Sequence, residues 1–161
     1  LLSGLVHSDP HPGNFILMKD GRVGVLDFGA IKQLSPRWVA VNRRLFHAVA
    51  EHRPVDMMAL CFDAGFEFTD PDSARPFIEE ILAIIARPLR TDDFDFSQAG
   101  MSRDLRNLTM KNAPRMVGIK PPKESVQFFR AVGGMSQNLE NLGARGNYSA
   151  THVELLALAG A

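Results

Sequence analysis

The arrangement that most constrains this chain lies in its first 29 residues. His7-Ser8-Asp9-Pro10-His11-Pro12-Gly13-Asn14 is a polar loop, two short apolar runs follow, and Asp27-Phe28-Gly29 closes the segment. The runs, Phe15-Ile16-Leu17-Met18 and Val23-Gly24-Val25-Leu26, are separated by Lys19-Asp20-Gly21-Arg22. Asp-Gly between apolar runs is a strong hairpin signal. A two-stranded hairpin over 15–26 brings its open ends together. Asn14 and Asp27, thirteen positions apart in sequence, are then expected about one interstrand gap of ~5 Å from each other.

That juxtaposition has chemical content. An Asp, an Asn five positions on, and a hairpin-linked Asp-Phe-Gly form the catalytic half of a kinase-type phosphotransfer site. The Asn14 amide oxygen and the Asp27 carboxylate are hard oxygen ligands. With nucleotide phosphates they suit Mg²⁺, which takes few protein ligands and keeps water. Asp9 is placed to accept a proton from an attacking hydroxyl or to orient a water. Pro10, Pro12 and Gly13 stiffen and turn the loop. His7 is expected to support the loop backbone and His11 to orient the loop. Phe28 is expected to pack beneath the metal site, and Gly29 to permit the backbone turn that follows. Asp and Asn are also ordinary turn residues, and Asp27 could simply cap a loop. The ordered combination of H-x-D-x-x-x-x-N, hairpin and D-F-G outweighs that reading.

Composition narrows the rest. A length of 161 residues is one domain's worth, and 45% hydrophobic content supports a packed core. Eighteen basic and eighteen acidic residues cancel, so no charge excess points to nucleic acid. The lone Cys61 excludes a disulfide framework and a multi-Cys zinc site. It sits in the apolar run Met57-Met58-Ala59-Leu60-Cys61-Phe62 and is read as a buried structural thiol. No stretch is long and apolar enough to span a bilayer, so the expected setting is cytoplasmic, with peripheral attachment to a membrane the alternative.

After Gly29 the pattern turns helical. Ser35-Pro36 is an N-cap with Pro at the first helical position, and Val39, Val41, Leu45, Phe46 and Val49 recur at helical spacing to about Glu51. Pro54 is expected to open a second helix that stops near Ala64-Gly65. Asp70-Pro71 starts a third, through Phe77, Ile78, Ile81, Leu82 and Ile85, ending before Pro88. Residues 90–100 read as irregular, with Asp92, Asp93 and Asp95 in a solvated loop. Arg43-Arg44 and the Arg87/Arg90 region read as solvated surface. Helices are expected over 101–111 and 123–142, with a short one over 153–158. The stripe Phe128/Phe129/Val132/Met135 reads as helix core, a lipid-facing groove being the alternative. The fold class is therefore mainly α with a short β-hairpin.

Asp9-Pro10-His11-Pro12-Gly13-Asn14, followed by Ile16-Leu17, Asp20-Gly21 and Leu26-Asp27-Phe28-Gly29, resembles the ABC1 (AarF/UbiB) family of atypical kinases. Lys120-Pro121-Pro122 and Phe129-Arg130-Ala131-Val132-Gly133-Gly134 look like the family's C-terminal stretch. The resemblance is specific over 1–36 and loose beyond. It implies a protein-kinase-like C-terminal lobe over 1–161: catalytic loop 7–14, hairpin 15–26, DFG 27–29, helical region 36–161. Asp9 falls at the catalytic-loop position, and Asn14 and Asp27 at the two metal-ligand positions. It also implies ATP and Mg²⁺ as cofactors, a lipid or isoprenoid ligand, and a link to ubiquinone or other isoprenoid-lipid metabolism. The family's Lys-x-Gly-Gln segment, Ala-rich nucleotide loop and strand Lys are not among these residues. The expectation is of a partial chain lacking its N-lobe in cis, inactive alone.

Only Ala30 to Leu34 separates Gly29 from the Ser35 cap. A peptide-docking activation segment does not fit there, which favours water, a small molecule or a lipid as phosphoryl acceptor. The rivals are a small-molecule phosphotransferase of the aminoglycoside type, whose Asp-Phe is usually followed by an acid rather than Gly29, and a non-catalytic nucleotide- or lipid-binding module. A third is a metal-dependent hydrolase using His7, Asp9 and His11.

Overall fold

Local signals set most of the elements in the computed structural model, which describes residues 3–158. Strand β1 covers Leu5–His7. A single 3-10 turn, Pro12–Asn14, leads into β2 (Phe15–Leu17), which pairs antiparallel with β3 (Val23–Val25) in the register Phe15↔Val25 and Leu17↔Val23. The hairpin loop closes through Met18 N–H to the Arg22 carbonyl at 2.8 Å. Gly21 sits there at φ +82°, where a glycine costs nothing sterically. Strand β4 (Ile31–Gln33) returns to pair antiparallel with β1, so residues 30–34 form a ladder rather than a free loop.

Helix α1 runs Pro36–Ala50, and the Ser35 hydroxyl accepts from the Trp38 N–H at its start. Helix α2 runs Met57–Ala64, capped by the Asp56 side chain and stopped by Gly65 in the left-handed region. Its start corrects the expectation at Pro54: the carboxylate of Asp56 satisfies the Ala59 N–H and so fixes the first turn two residues later. The two-residue strand β5 (Glu67–Phe68) precedes α3 (Pro71–Ile85), capped by Asp70 as expected. Residues 90–100 are more ordered than their sequence indicates. Phe94–Asp95 form β6, Phe96–Ala99 form the one-turn helix α4, and the Asp95 carboxylate caps it. Helices α5 (Met101–Lys111) and α6 (Ala113–Met116) follow. Then come β7 (Ile119–Lys120) paired with β5, α7 (Lys123–Asn141), β8 (Arg145–Gly146) paired with β6, and α8 (Tyr148–Leu158).

The acidic cluster is structural. Asp93 forms an ion pair with Arg145 on β8, and Arg87 bonds Asp104 of α5 at 2.7 Å. Neither Asp93 nor Arg87 is a merely solvated charge, because each ties two elements that no covalent proximity joins.

The core lies among the helices. Met58, Cys61, Phe77, Ile78, Met101 and Leu108 form one cluster, and Val41, Leu45, Val49, Leu60 and Leu82 a second. A third, Leu34, Trp38 and Phe128, joins the start of α1 to α7. Each large side chain fully removed from water contributes ~1.5–3 kcal/mol, so these clusters hold the bundle. On α7 the expected core stripe is divided: Phe128 is buried, while Phe129 and Met135 are exposed. The helix packs one narrow edge inward.

Candidate active site

The loop 7–14 is held from both sides. Ser8 is buried, and its N–H and hydroxyl both donate to the Ala30 carbonyl, at 3.0 and 2.9 Å. This is a consequence of the β1–β4 ladder. His7 stands between the loop and the Asp-Phe-Gly segment. Its Nδ1 accepts from the Asp9 N–H at 3.4 Å, and its Nε2 is hydrogen-bonded to the Asp27 carbonyl. That pattern puts the ring proton on Nε2. His7 is thus a strut between two segments rather than a support for the loop alone. His11 Nδ1 accepts from the Gly13 N–H at 3.0 Å, and the Asn14 N–H donates to the His11 carbonyl at 2.9 Å, which tightens the turn before Asn14.

Asn14 and Asp27 lie at the open ends of the hairpin, where the Leu26 N–H donates to the Asn14 carbonyl at 2.9 Å. The Asn14 amide nitrogen donates to the Asp9 carbonyl at 3.0 Å and to the Asp9 carboxylate at 3.1 Å. That commits the amide N–H₂ and leaves its oxygen open to a cation. One Asp27 carboxylate oxygen accepts from the Gly29 N–H at 2.8 Å, and the other bonds no described residue. Two hard oxygens on adjoining segments fit Mg²⁺, which needs only one or two protein ligands when phosphates supply the rest. Asn14 and Asp27 would hold that ion.

His7 and His11 are engaged in separate backbone contacts. Among the described residues no three His, Cys, Asp or Glu side chains converge as a metal site. The hydrolase alternative therefore lacks its ligand cluster. Phe28 corrects another expectation. It is 64% exposed, so its ring faces water rather than a packed floor.

Helix α7 supplies contacts that the motif does not announce. Asn138 donates to the Pro10 carbonyl at 2.6 Å, and the Arg130 guanidinium stands 3.8 Å from the Asp9 carboxylate. A Cβ on Gly134 would overlap the Pro10 ring, so glycine is what lets the helix approach the loop. The stretch Phe129 to Gly134 held the signal for this, though nothing local in it points to Pro10.

The family model of the ABC1 atypical kinase-like domain matches residues 1–59, the part that holds Asp9, Asn14 and Asp27. An uncharacterized protein of Synechocystis sp. is 52% identical over 88 residues, 53% of this chain and 12% of its own length. An uncharacterized aarF domain-containing protein kinase of Arabidopsis thaliana, described as chloroplastic, is 33% identical over 66 residues, 41% of this chain and 12% of its own length. The chloroplastic Arabidopsis thaliana protein ACTIVITY OF BC1 COMPLEX KINASE 1 is 56% identical over 32 residues, 20% of this chain and 5% of its own length. The matches span about an eighth or less of these relatives. The loop, the hairpin and Asp-Phe-Gly arranged as above thus lie within the part of the chain, residues 1–59, that is similar to the ABC1 atypical kinase-like domain.

Proposed function

We propose that residues 7–29 are the metal- and base-bearing half of an ATP- and Mg²⁺-dependent atypical kinase or ATPase, set in a protein-kinase-like C-terminal lobe. The observation that carries this is the juxtaposition of the segments that bear Asp9, Asn14 and Asp27. Asn14 is bonded to Asp9, and His7 ties the Asp9 backbone to that of Asp27. Bound Mg²⁺ would neutralise charge on the nucleotide phosphates. Asp9 accepts the proton of the attacking hydroxyl or water, and Asn14 holds the Asp9 carboxylate in place for it. The acceptor is water, a small molecule or a lipid rather than a peptide. The residues between Gly29 and Ser35 are consumed by β4, which supports that choice. A role in ubiquinone or isoprenoid-lipid metabolism is what the family resemblance adds.

The hairpin and the Asp-Phe-Gly segment after it expose Leu17, Val23 and Phe28 at 77%, 61% and 64%. Apolar residues exposed together on one short ribbon call for a cover, and a nucleotide-gripping lobe supplied in cis would provide one. The test reads binding and turnover separately. Mg²⁺-dependent nucleotide binding by the chain should fall at least tenfold in Asp27→Asn. With the nucleotide-gripping lobe joined in cis, Asp9→Asn should bind Mg²⁺ and ATP normally yet lose at least a hundredfold in turnover. Unchanged nucleotide binding in Asp27→Asn, or unchanged turnover in Asp9→Asn, rejects the reading.

A further inference from the structure

A cavity of about 400 Å³ lies away from the loop, inside the helical bundle. Its wall includes Trp38 and Leu45 of α1, Cys61 of α2, Ile78 of α3 and Phe128 of α7. No charged side chain lines it. Asn42, Thr109 and Ser125 in the wall already donate to backbone carbonyls, whereas the Trp38 indole N–H is buried without a partner among the described residues. Asn42 donates to the Trp38 carbonyl at 2.9 Å, Thr109 to the Arg106 carbonyl at 2.9 Å, and Ser125 to the Pro122 carbonyl at 2.7 Å. Met116, Val126 and Phe129 line the cavity and are also exposed, so they mark its mouth.

A water needs two to four polar partners to be held in a buried site, and an apolar cavity of about 150 Å³ stays dry and binds benzene. This cavity is more than twice as large, and the one buried side-chain polar atom in its wall without a partner among the described residues is the Trp38 indole nitrogen, short of the two partners a held water needs. Burial raises the Cys61 pKa to about 11, as a water-poor wall requires. At the filling of six carbons in about 150 Å³, the volume holds roughly sixteen. A charged head group would find no counter-ion inside and would have to stay at the mouth.

We infer that this cavity is a binding site for one uncharged hydrocarbon chain of roughly sixteen carbons. The site is independent of the phosphotransfer reading, and its test uses no nucleotide. Trp38 and Cys61 are the chain's only tryptophan and only cysteine, and both line the cavity, so each is a built-in reporter. The chain is titrated with straight-chain primary alcohols from about eight to about sixteen carbons, following Trp38 emission. The expected result is one alcohol per chain, affinity rising with length, and at least tenfold weaker binding in Ala64→Phe, which fills the wall from α2. Leu17→Ser, on the exposed hairpin, should bind as the parent does. Should Ala64→Phe lose its helical circular dichroism, the parent chain still decides. The longest alcohol should slow modification of Cys61 by an uncharged methanethiolsulfonate at least tenfold. Silent Trp38 emission, several alcohols per chain, or an unprotected Cys61 overturns the assignment.

Discussion

The loop-and-hairpin segment before Ser35 and the helical bundle after it divide the labour of this molecule unequally. In the bundle, apolar side chains from six helices meet in the three clusters around Phe77, Leu45 and Trp38. In the segment, the described residues that are buried are Gly4, Ser8, Pro10 and Leu34, while the hairpin's apolar side chains are largely in water. Yet the groups able to do chemistry sit in the segment. The contrast teaches that Asp9, Asn14 and Asp27 are positioned by hydrogen bonds and borrowed rigidity, not by a core of their own. Ser8 to Ala30, His7 to Asp27 and Asn138 to Pro10 supply that rigidity.

The sharpest way to break this contrast is a cavity in the bundle. Phe77 is 3% exposed, and Phe77→Ala should cost ~3–5 kcal/mol in urea unfolding. A loss below ~1 kcal/mol would mean the bundle does not carry the stability. Gly134→Ala strikes the seam between the regions. The added methyl overlaps the Pro10 ring, and over-packing of this kind costs ~1–3 kcal/mol. The chain should also lose nucleotide affinity, whereas Gly133→Ala, whose Cβ meets nothing within 4 Å, should do neither.

The bundle also has its own pH signature. Burial raises the Cys61 pKa from 9.0 to about 11. The folded value lies above the unfolded one, so this contribution is complete below pH 9 and is lost as pH rises toward 11, at up to about 1.4 kcal/mol per unit. Unfolding free energies measured across that window should slope downward in the parent and lie flatter in Cys61→Ala. The smallest effect on stability belongs to the segment. Asp27→Asn should shift unfolding by less than ~0.5 kcal/mol while removing Mg²⁺ binding, read by isothermal titration. A large stability loss there would erase the division between the regions.

How much of this was legible follows from how local each signal is. Ser35-Pro36 and Asp70-Pro71 mark helix starts because a cap and a fixed φ act within one turn. The hairpin was legible because Asp20-Gly21 sits between two apolar runs. The pairs β5–β7 and β6–β8 were not, since each strand has two residues and draws its only support from a partner far along the chain. Helix α3 runs through Pro76, which local propensity disfavours; burial of Phe77 and Ile78 beside it outweighs that cost. Of the site, Asp9, Asn14 and Asp27 were marked by spacing and residue type. Arg130, Gly134 and Asn138 were not, because a glycine in a helix looks like a weak point until Pro10 is seen against it.

The Asn138–Pro10 bond joins residues 128 positions apart. Closing so long a loop carries an entropic cost that nearer contacts must first offset. A chain made from its amino end exposes the whole motif early, but Pro10 cannot be seated until α7 has been synthesised and folded. Assembly therefore runs opposite to sequence order: the motif is written before α7 yet completed after it, so a partly folded chain carries Asp9, Asn14 and Asp27 without their arrangement.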